Sequence, residues 1–285
     1  MKRIKYLFIT LILLVLTGCV FNEDSMDNIE VSTSIYPIEY VVKILYGDHS
    51  IINSIYPKDT DANEFEITDV LINQYSDSDL FIFNGLTNEK THVKQLLKQN
   101  KNLKIIDVTS NMQYDYSIEE LWLDPNNLLT IANNVKKGFK EYIKSTYLTN
   151  EIDENYENLK IELTSLDGKF YNTVKNASNT TIIVSDDAFK YLEKYGIEVI
   201  SIDPDTVKEK AVNDAKELIK NKTCSYIFVK YKEDNEDIKK FISETGVSKL
   251  ELYTMTNLAD VNVDKNDYIT LMNQNLENLK LELYK

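Results

Sequence analysis

Residue types that commonly do chemistry are scarce in this chain of 285 residues. It contains only two histidines, two cysteines and 7 glycines. No serine–histidine–aspartate or cysteine–histidine set is visible, and no glycine-rich phosphate loop can be recognised. Acidic residues, in contrast, are abundant, and the chain contains 46 of them. This inventory argues against an enzyme and suits a protein that attracts cations, although a solvated acidic surface needs no ligand.

Three of the four histidine and cysteine side chains have an unremarkable interpretation. His49 follows Gly47-Asp48 in a turn, so we expect it to be exposed. His92 lies on a polar helical stretch and is a poor ligand candidate. Cys224 precedes the apolar run 226–229, which indicates a buried structural thiol.

Cys19 is different, because a signal-like segment precedes it. A basic start is followed by an apolar run over 6–16, which is too short to span a bilayer and has the length of a signal-peptide core. The run ends in Leu16-Thr17-Gly18-Cys19, which resembles the bacterial lipobox, whose cysteine is lipidated and becomes the first residue after cleavage. The alternative is an ordinary signal peptide with a chance cysteine. We predict a signal peptide over 1–18, lipidation at Cys19 and a flexible tether over 19–28.

Net charge restricts the possible partners. The formal charge is −14 at pH 7, and the basic leader makes the remainder more acidic still. Such a surface repels nucleic acid and anionic lipid, so we expect no DNA or RNA partner. No second apolar segment approaches 18 residues, so membrane contact is expected only through the lipid.

The elements that must position any site alternate between short apolar runs and amphipathic stretches. This alternation predicts α/β architecture with parallel sheets. Strands are predicted over 31–35, 51–56, 80–83 and 105–108, and again over 180–184, 198–202, 226–229 and 249–252.

A long helical pattern separates the two sets of strands. Apolar residues recur every three or four positions from Tyr156 to Val174 with no strand among them. We therefore predict two similar α/β lobes, each with a central mostly parallel sheet, joined by one long rigid linker helix. The predicted limits are 29–150 for the N-terminal lobe, 151–177 for the linker helix and 178–285 for the C-terminal lobe.

Several segments, in their order and spacing, resemble the metal-specific solute-binding lipoproteins of zinc and manganese ABC transporters. Trp122-Leu123-Asp124-Pro125 matches a specific tetrapeptide of that family, and the resemblance covers nearly all of the chain beyond the leader. The other matching segments are 34–37 with Gly47-Asp48, 62–68, 80–85, 188–191 with Tyr195-Gly196, 244–246 and 267–279. The resemblance implies two lobes joined by one long helix, with a metal ion held between them.

The resemblance also implies four metal ligands, one from each of four loops, and here this chain departs from the pattern. No histidine stands at any of the four positions. The corresponding residues are Asn63, Glu120, Asp186 and Tyr253, and a small shift in the last alignment would offer Glu251 instead. Oxygen ligands suit hard cations, so manganese or iron is favoured over zinc as the transported ion.

Two functions remain open at this point. The first is an extracytoplasmic, lipid-anchored and monomeric capture protein on the cell membrane, with an ABC permease and its ATPase as partners. The second is a degenerate family member that binds a non-metal solute or acts as an adhesion or interaction lipoprotein. Two of the four positions keep carboxylates, which favours the first, although acidic residues are abundant throughout.

Overall fold

The computed structural model describes residues 26–56, 65 and 67–285, and these contain two parallel sheets of four strands each. In the first lobe the sheet order is β2-β1-β3-β4. Its elements are β1 (Ile29–Thr33), α1 (Tyr36–Tyr46), a 3-10 turn (Gly47–His49), β2 (Ser50–Ser54), α2 (Asp69–Ser76), β3 (Leu80–Phe83), α3 (Glu89–Gln99) and β4 (Lys104–Asp107). Every residue of β3 is buried, as expected for a central parallel strand covered on both faces.

The second lobe repeats this topology. Its sheet order is β6-β5-β7-β8, so each strand takes the place of its counterpart in the first lobe. Its elements are β5 (Thr181–Val184), a 3-10 helix (Asp187–Tyr195), β6 (Glu198–Ser201), α7 (Glu209–Lys220), β7 (Tyr226–Lys230), α8 (Glu236–Thr245), β8 (Ser248–Leu252) and α9 (Tyr268–Leu283). The predicted pair of similar α/β lobes is confirmed.

Three helices connect the two sheets. They are α4 (Glu120–Leu123), α5 (Pro125–Tyr142) and α6 (Thr146–Lys175). The Asp124 carboxylate accepts from Asn126 N at 2.9 Å and caps α5, which begins at a proline whose missing N–H costs nothing there.

Helix α6 is the long connector. It has 30 residues and is about 45 Å long at 1.5 Å per residue. It begins at Thr146 rather than 151, because the Ser145 hydroxyl accepts from Leu148 N at 3.4 Å and caps it. A buried apolar stripe runs along one face and packs on both lobes, formed by Leu148, Ile152, Tyr156, Leu159, Leu163, Leu166, Phe170 and Val174.

Hydrogen bonds, a contact between aromatic rings and ion pairs also join the lobes directly. The Trp122 indole N–H donates to the carbonyl of Thr254 at 2.9 Å, and the Trp122 carbonyl accepts from the Tyr268 hydroxyl at 2.7 Å. The Tyr268 ring lies 5.5 Å from that of Tyr40 on α1. The Lys194 ammonium contacts both Asp124, at 2.5 Å, and Asp167 on α6, at 2.9 Å. These contacts belong to one apolar core that extends through both lobes.

Three further expectations can be compared with this fold. Cys224 is buried as expected, and burial raises the pKa of its thiol to about 11. His49 is half-buried, so its expected exposure was wrong: its ring lies between the carboxylates of Asp27, at 2.8 Å, and Glu151, at 3.1 Å. Met26 is buried and its carbonyl accepts from the Tyr46 hydroxyl at 2.6 Å, so packing begins within segment 19–28.

Cys19 and Asn63 lie outside the described residues. None of the helices among those residues is long and apolar enough to cross a bilayer.

Candidate functional site

The candidate site lies where the parallel strands of the second lobe end. Strands β5 and β7 are neighbours, and their connections lead to opposite edges of the sheet, which makes the gap beyond their carboxyl ends the usual ligand position in such sheets. Asp186 stands just beyond β5, and Lys230 is the last residue of β7. The backbone N–H of Ser185 donates to the carbonyl of Phe228 at 2.8 Å, which fixes the two strand ends beside each other.

Both carboxylate oxygens of Asp186 have a partner. One accepts from Ala188 N at 2.7 Å and caps the following 3-10 helix. The other contacts the Lys230 ammonium at 2.6 Å. The carboxylate is therefore held in place by the backbone of the following helix on one side and contacts an ammonium group on the other.

A carboxyl group from the first half of the chain joins this pair. Burial raises the pKa of Glu119, with a smaller rise from the charge of Asp186, while hydrogen bonding to the Ser117 hydroxyl and the charge of Lys230 oppose the rise. Glu119 precedes α4, and α4 packs on the 3-10 helix that Asp186 begins. The packing of these two helices thus places one carboxyl from each side of the lobe boundary within the range of the other's charge.

Glu120, the predicted second ligand, faces its own loop. One of its carboxylate oxygens accepts from the backbone N–H groups of Asp115 and Tyr116, at 3.2 and 3.3 Å. Helical geometry turns neighbouring residues about 100° apart, so Glu119 and Glu120 cannot point the same way. The role of Glu120 as a metal ligand therefore stays a prediction. Glu119 is the neighbouring residue on which the charge of Asp186 acts.

Tyr253, the predicted fourth ligand, directly follows β8 and packs towards α9. Its backbone N–H donates to the Asn275 side chain at 2.7 Å, and its carbonyl accepts from the same amide at 2.8 Å. Its ring lies 4.6 Å from that of Tyr231. Glu251, two residues earlier on the same face of the strand, lines the same surface groove of about 540 Å³. Burial is the largest cause of the raised pKa of the Tyr253 phenol, and the charges of Tyr231 and Glu251 raise it further.

The four predicted ligands are therefore not gathered in the described part of the chain. Asn63 falls outside it, and within 26–56, 65 and 67–285 no group of three or more histidine, cysteine, aspartate or glutamate side chains could hold a metal ion. Asp186 with Glu119 is the interlobe pair of oxygen donors that this part contributes. Such donors are of the kind that hard cations take in proteins.

A second buried carboxyl, which was not predicted from the sequence, lies at the corresponding edge of the first sheet. Glu89 is 1% exposed, accepts from the Ser34 hydroxyl and from Asn84 N, each at 2.7 Å, and has its pKa raised by burial to about 7. The second lobe has a similar contact, because the Ser185 hydroxyl donates to Glu233 at 3.1 Å. In each lobe the serine follows the first strand and the glutamate follows the third. A serine directly after the first strand of each half was the signal that could have revealed the pair.

The sequence profile of the family described as "Zinc-uptake complex component A periplasmic" matches residues 31–281. The chain belongs to this family. Its members are solute-binding proteins rather than enzymes, in agreement with the residue inventory.

Curated relatives are named for different metals. The zinc-binding lipoprotein AdcA of Streptococcus pneumoniae is 22% identical over 98% of this chain, which spans only 61% of the length of AdcA. The metal ABC transporter substrate-binding lipoprotein of Lactococcus lactis is 23% identical over 100% of this chain and 98% of its own length. The iron-binding protein YfeA of Yersinia pestis is 20% identical over 90% of this chain and 86% of its own.

Solved structures share the fold. The metal-dependent lipoprotein YcdH from Bacillus subtilis superposes with a TM-score of 0.75 at 21% identity, over 90% of this chain and 100% of that one. The ZnuA-like domain of the Streptococcus pneumoniae AdcA gives 0.74 at 21% identity, over the same shares of the two chains. The predicted architecture and the family resemblance are both confirmed.

Proposed function

We propose that the protein is a lipid-anchored capture protein on the extracytoplasmic face of the cell membrane. It would bind a metal ion between its lobes and deliver it to an ABC permease driven by an ATPase. Family membership supports the general role. The observation that carries the ion-binding step is the packing of α4, which Glu119 precedes, on the 3-10 helix that Asp186 begins, because this contact brings carboxyl-bearing segments from the two sides of the lobe boundary together.

We infer that the captured ion is a hard cation, with manganese or iron favoured over zinc. The proposed ligands are Asn63, Asp186, Tyr253 and a glutamate from the segment before Trp122, all of which offer oxygen and none of which offers the imidazole or thiolate that zinc prefers. The contacts around Asp186 favour Glu119 as that glutamate over the originally predicted Glu120. Relatives are named for zinc, manganese and iron, so their names support a metal without selecting one.

Calorimetric titration of residues 20–285, stripped of metal, tests this function. We expect manganese or ferric iron to bind with a Kd below about 10 μM, which corresponds to about 7 kcal/mol, and more tightly than zinc or calcium. Failure of every ion to reach that affinity contradicts metal capture. Tightest binding of zinc would leave capture standing and would reject the oxygen-only ligand set.

Single substitutions at two neighbouring glutamates identify which of them is the ligand. Glu119→Gln is expected to weaken binding about tenfold or more, because it removes one negative charge from the field of Asp186. Glu120→Gln is the matched control and should change the Kd by less than about threefold, a difference worth about 0.7 kcal/mol. The reverse order of effects would restore Glu120 as the ligand. Asp214→Asn on α7, an exposed carboxylate of the second lobe, controls for general loss of charge.

The membrane anchor has its own test. Cys19→Ala should release the protein from the membrane fraction and abolish incorporation of a fatty-acid analogue, because the lipid would be attached through this thiol. Retention of the variant in the membrane fraction would contradict a lipid anchor at Cys19.

A further inference from the structure

The ammonium of Lys230 lies at the centre of the candidate site. Lys230 ends β7, which pairs with β5 through Val184 and Phe228, so its side chain emerges at the same sheet edge as Asp186. The Nζ atom is 2.6 Å from Asp186 Oδ2. A lysine therefore already supplies a positive charge to Asp186, the carboxylate that a metal ion would have to contact.

Two more carboxyl groups act on the same ammonium through their charges. Glu233 and Glu119 both favour its charged form, in addition to Asp186. Glu233 is held in position by the Ser185 hydroxyl at 3.1 Å and by Asn235 N at 3.1 Å. Three acidic side chains from three different segments thus share one positive charge, and this charge reduces their mutual repulsion while no other cation is bound.

The lysine side chain is also partly exposed to solvent. Its side chain is 41% exposed, and it ends in a flexible four-carbon stem. Asp186, in contrast, is 17% exposed and remains fixed by the Ala188 N–H when the ammonium moves away. The carboxylates would then keep their places while the cation changes.

We propose that Lys230 is an internal counter-cation that a captured metal ion must displace from Asp186, and that it thereby sets the affinity and the charge selectivity of the site. This inference rests on the proposed capture function. An ion of charge +2 or +3 gains more from the same carboxylates than the ammonium does, whereas a monovalent ion only replaces one unit charge with another. Lys230 therefore disfavours sodium and potassium and lowers the affinity for every metal by the free energy of its displacement.

Substitution of Lys230 tests the displacement directly. Lys230→Met keeps the stem length and removes the charge, and we expect it to tighten manganese binding about tenfold, with sodium beginning to compete at about 0.1 M. Lys230→Arg keeps the charge and should bind no more tightly than the wild type. Lys216→Met is the matched control, since Lys216 also forms an ion pair, with Glu244 at 2.9 Å, on α7 away from the site.

The possible outcomes separate the two proposals. Manganese binding by the wild type, with Lys230→Met no tighter than Lys216→Met, overturns the displacement while leaving metal capture intact. Weaker binding by Lys230→Met also overturns it, because the lysine would then organise the site rather than compete for it. No binding below about 10 μM by either protein removes metal capture itself, and the displacement with it. Circular dichroism of each variant shows that it is folded, and Lys230→Gln provides a second neutral variant if Lys230→Met is not.

Discussion

His49 joins three parts of the first lobe through one imidazole ring. Its two nitrogens lie 2.8 Å from Asp27, near the start of the packed structure, and 3.1 Å from Glu151 on α6. Burial opposes the charge on His49, but the hydrogen bonds and charges of the two carboxylates outweigh burial and raise its pKa. The charged ring therefore ties the N-terminal segment to the long helix.

This histidine should make stability depend on pH in a defined direction. Because the pKa of His49 is higher in the folded state, its stabilisation is fully present below the unfolded value of about 6.5 and is lost as the pH rises through the folded pKa. We expect His49→Gln to cost about 1–3 kcal/mol at pH 6 and progressively less above pH 7. Urea denaturation of both proteins between pH 6 and 8.5 measures this difference.

His92 is the natural control for that measurement. Burial lowers its pKa, so its contribution to stability has the opposite sign and is lost as the pH falls. The difference in stability between wild type and His92→Gln should therefore grow as the pH rises, whereas that between wild type and His49→Gln grows as the pH falls. A His49→Gln variant whose stability deficit does not change with pH would contradict the ion-pair interpretation of this ring.

The sequence could indicate some of the candidate site residues but not others, for physical reasons. Asp186 was a candidate through the family resemblance, and in the structure it follows a strand at the kind of sheet edge where ligands bind. The choice between Glu119 and Glu120 depends on the orientation of one short helix, which a linear pattern does not define. Lys230 directly follows the predicted strand 226–229, and only the pairing of β5 with β7 places it on Asp186.

Among the secondary-structure elements, the eight strands found in the described part of the chain were all predicted, because each is a short apolar run bounded by polar segments. The differences occur at the ends, where single side chains decide. Ser145 begins α6 earlier than the apolar periodicity suggested. The segment 187–195 is a 3-10 helix, and periodicity over so few residues does not distinguish such a helix from an α-helix.

The contact of α5 with β4 depends on a helical glycine. A β-carbon at Gly138 would lie 2.6 Å from Ile106 Cγ1, which is far inside van der Waals contact. We expect Gly138→Ala to destabilise the protein by about 1–3 kcal/mol, because helix and sheet would have to move apart.

Gly168 on α6 supplies the matched control. A β-carbon there meets no atom within 4 Å, so Gly168→Ala should stabilise the protein by up to about 1 kcal/mol through helix propensity alone. Urea denaturation at one pH compares the two variants. Equal stability of Gly138→Ala and wild type would show that α5 does not pack on Ile106 as closely as described here.

At the scale of the whole molecule, the lobes share one main apolar core, and a smaller cluster around Ile183 and Ile227 lies within the second lobe alone. The main apolar cluster includes Trp122 from the first half, Phe170 from α6 and Tyr268 from the second half. The lobes are thus joined by buried side chains as well as by the connector, and a stiff helix limits their relative motion to small shifts.

A shared core predicts cooperative unfolding. We expect one calorimetric transition for residues 20–285, with agreement between the calorimetric and van't Hoff enthalpies. Trp122→Phe, which removes the hydrogen bond to Thr254, should lower the Tm by about 2–4 °C for a loss of about 1 kcal/mol and should leave a single transition. Two separated transitions in the wild type would mean that the lobes fold as independent domains.

The buried position of Cys224 makes the protein suitable for spectroscopic distance measurement. Its thiol is 1% exposed and stays protonated near neutral pH, with a pKa of about 11, so it should resist alkylating reagents. The sequence contains no other cysteine beyond Cys19. Cysteines introduced at exposed positions, one on each lobe, would accept nitroxide spin labels without prior removal of the native thiol. Pulsed electron paramagnetic resonance could then report the interlobe separation with and without a bound ion.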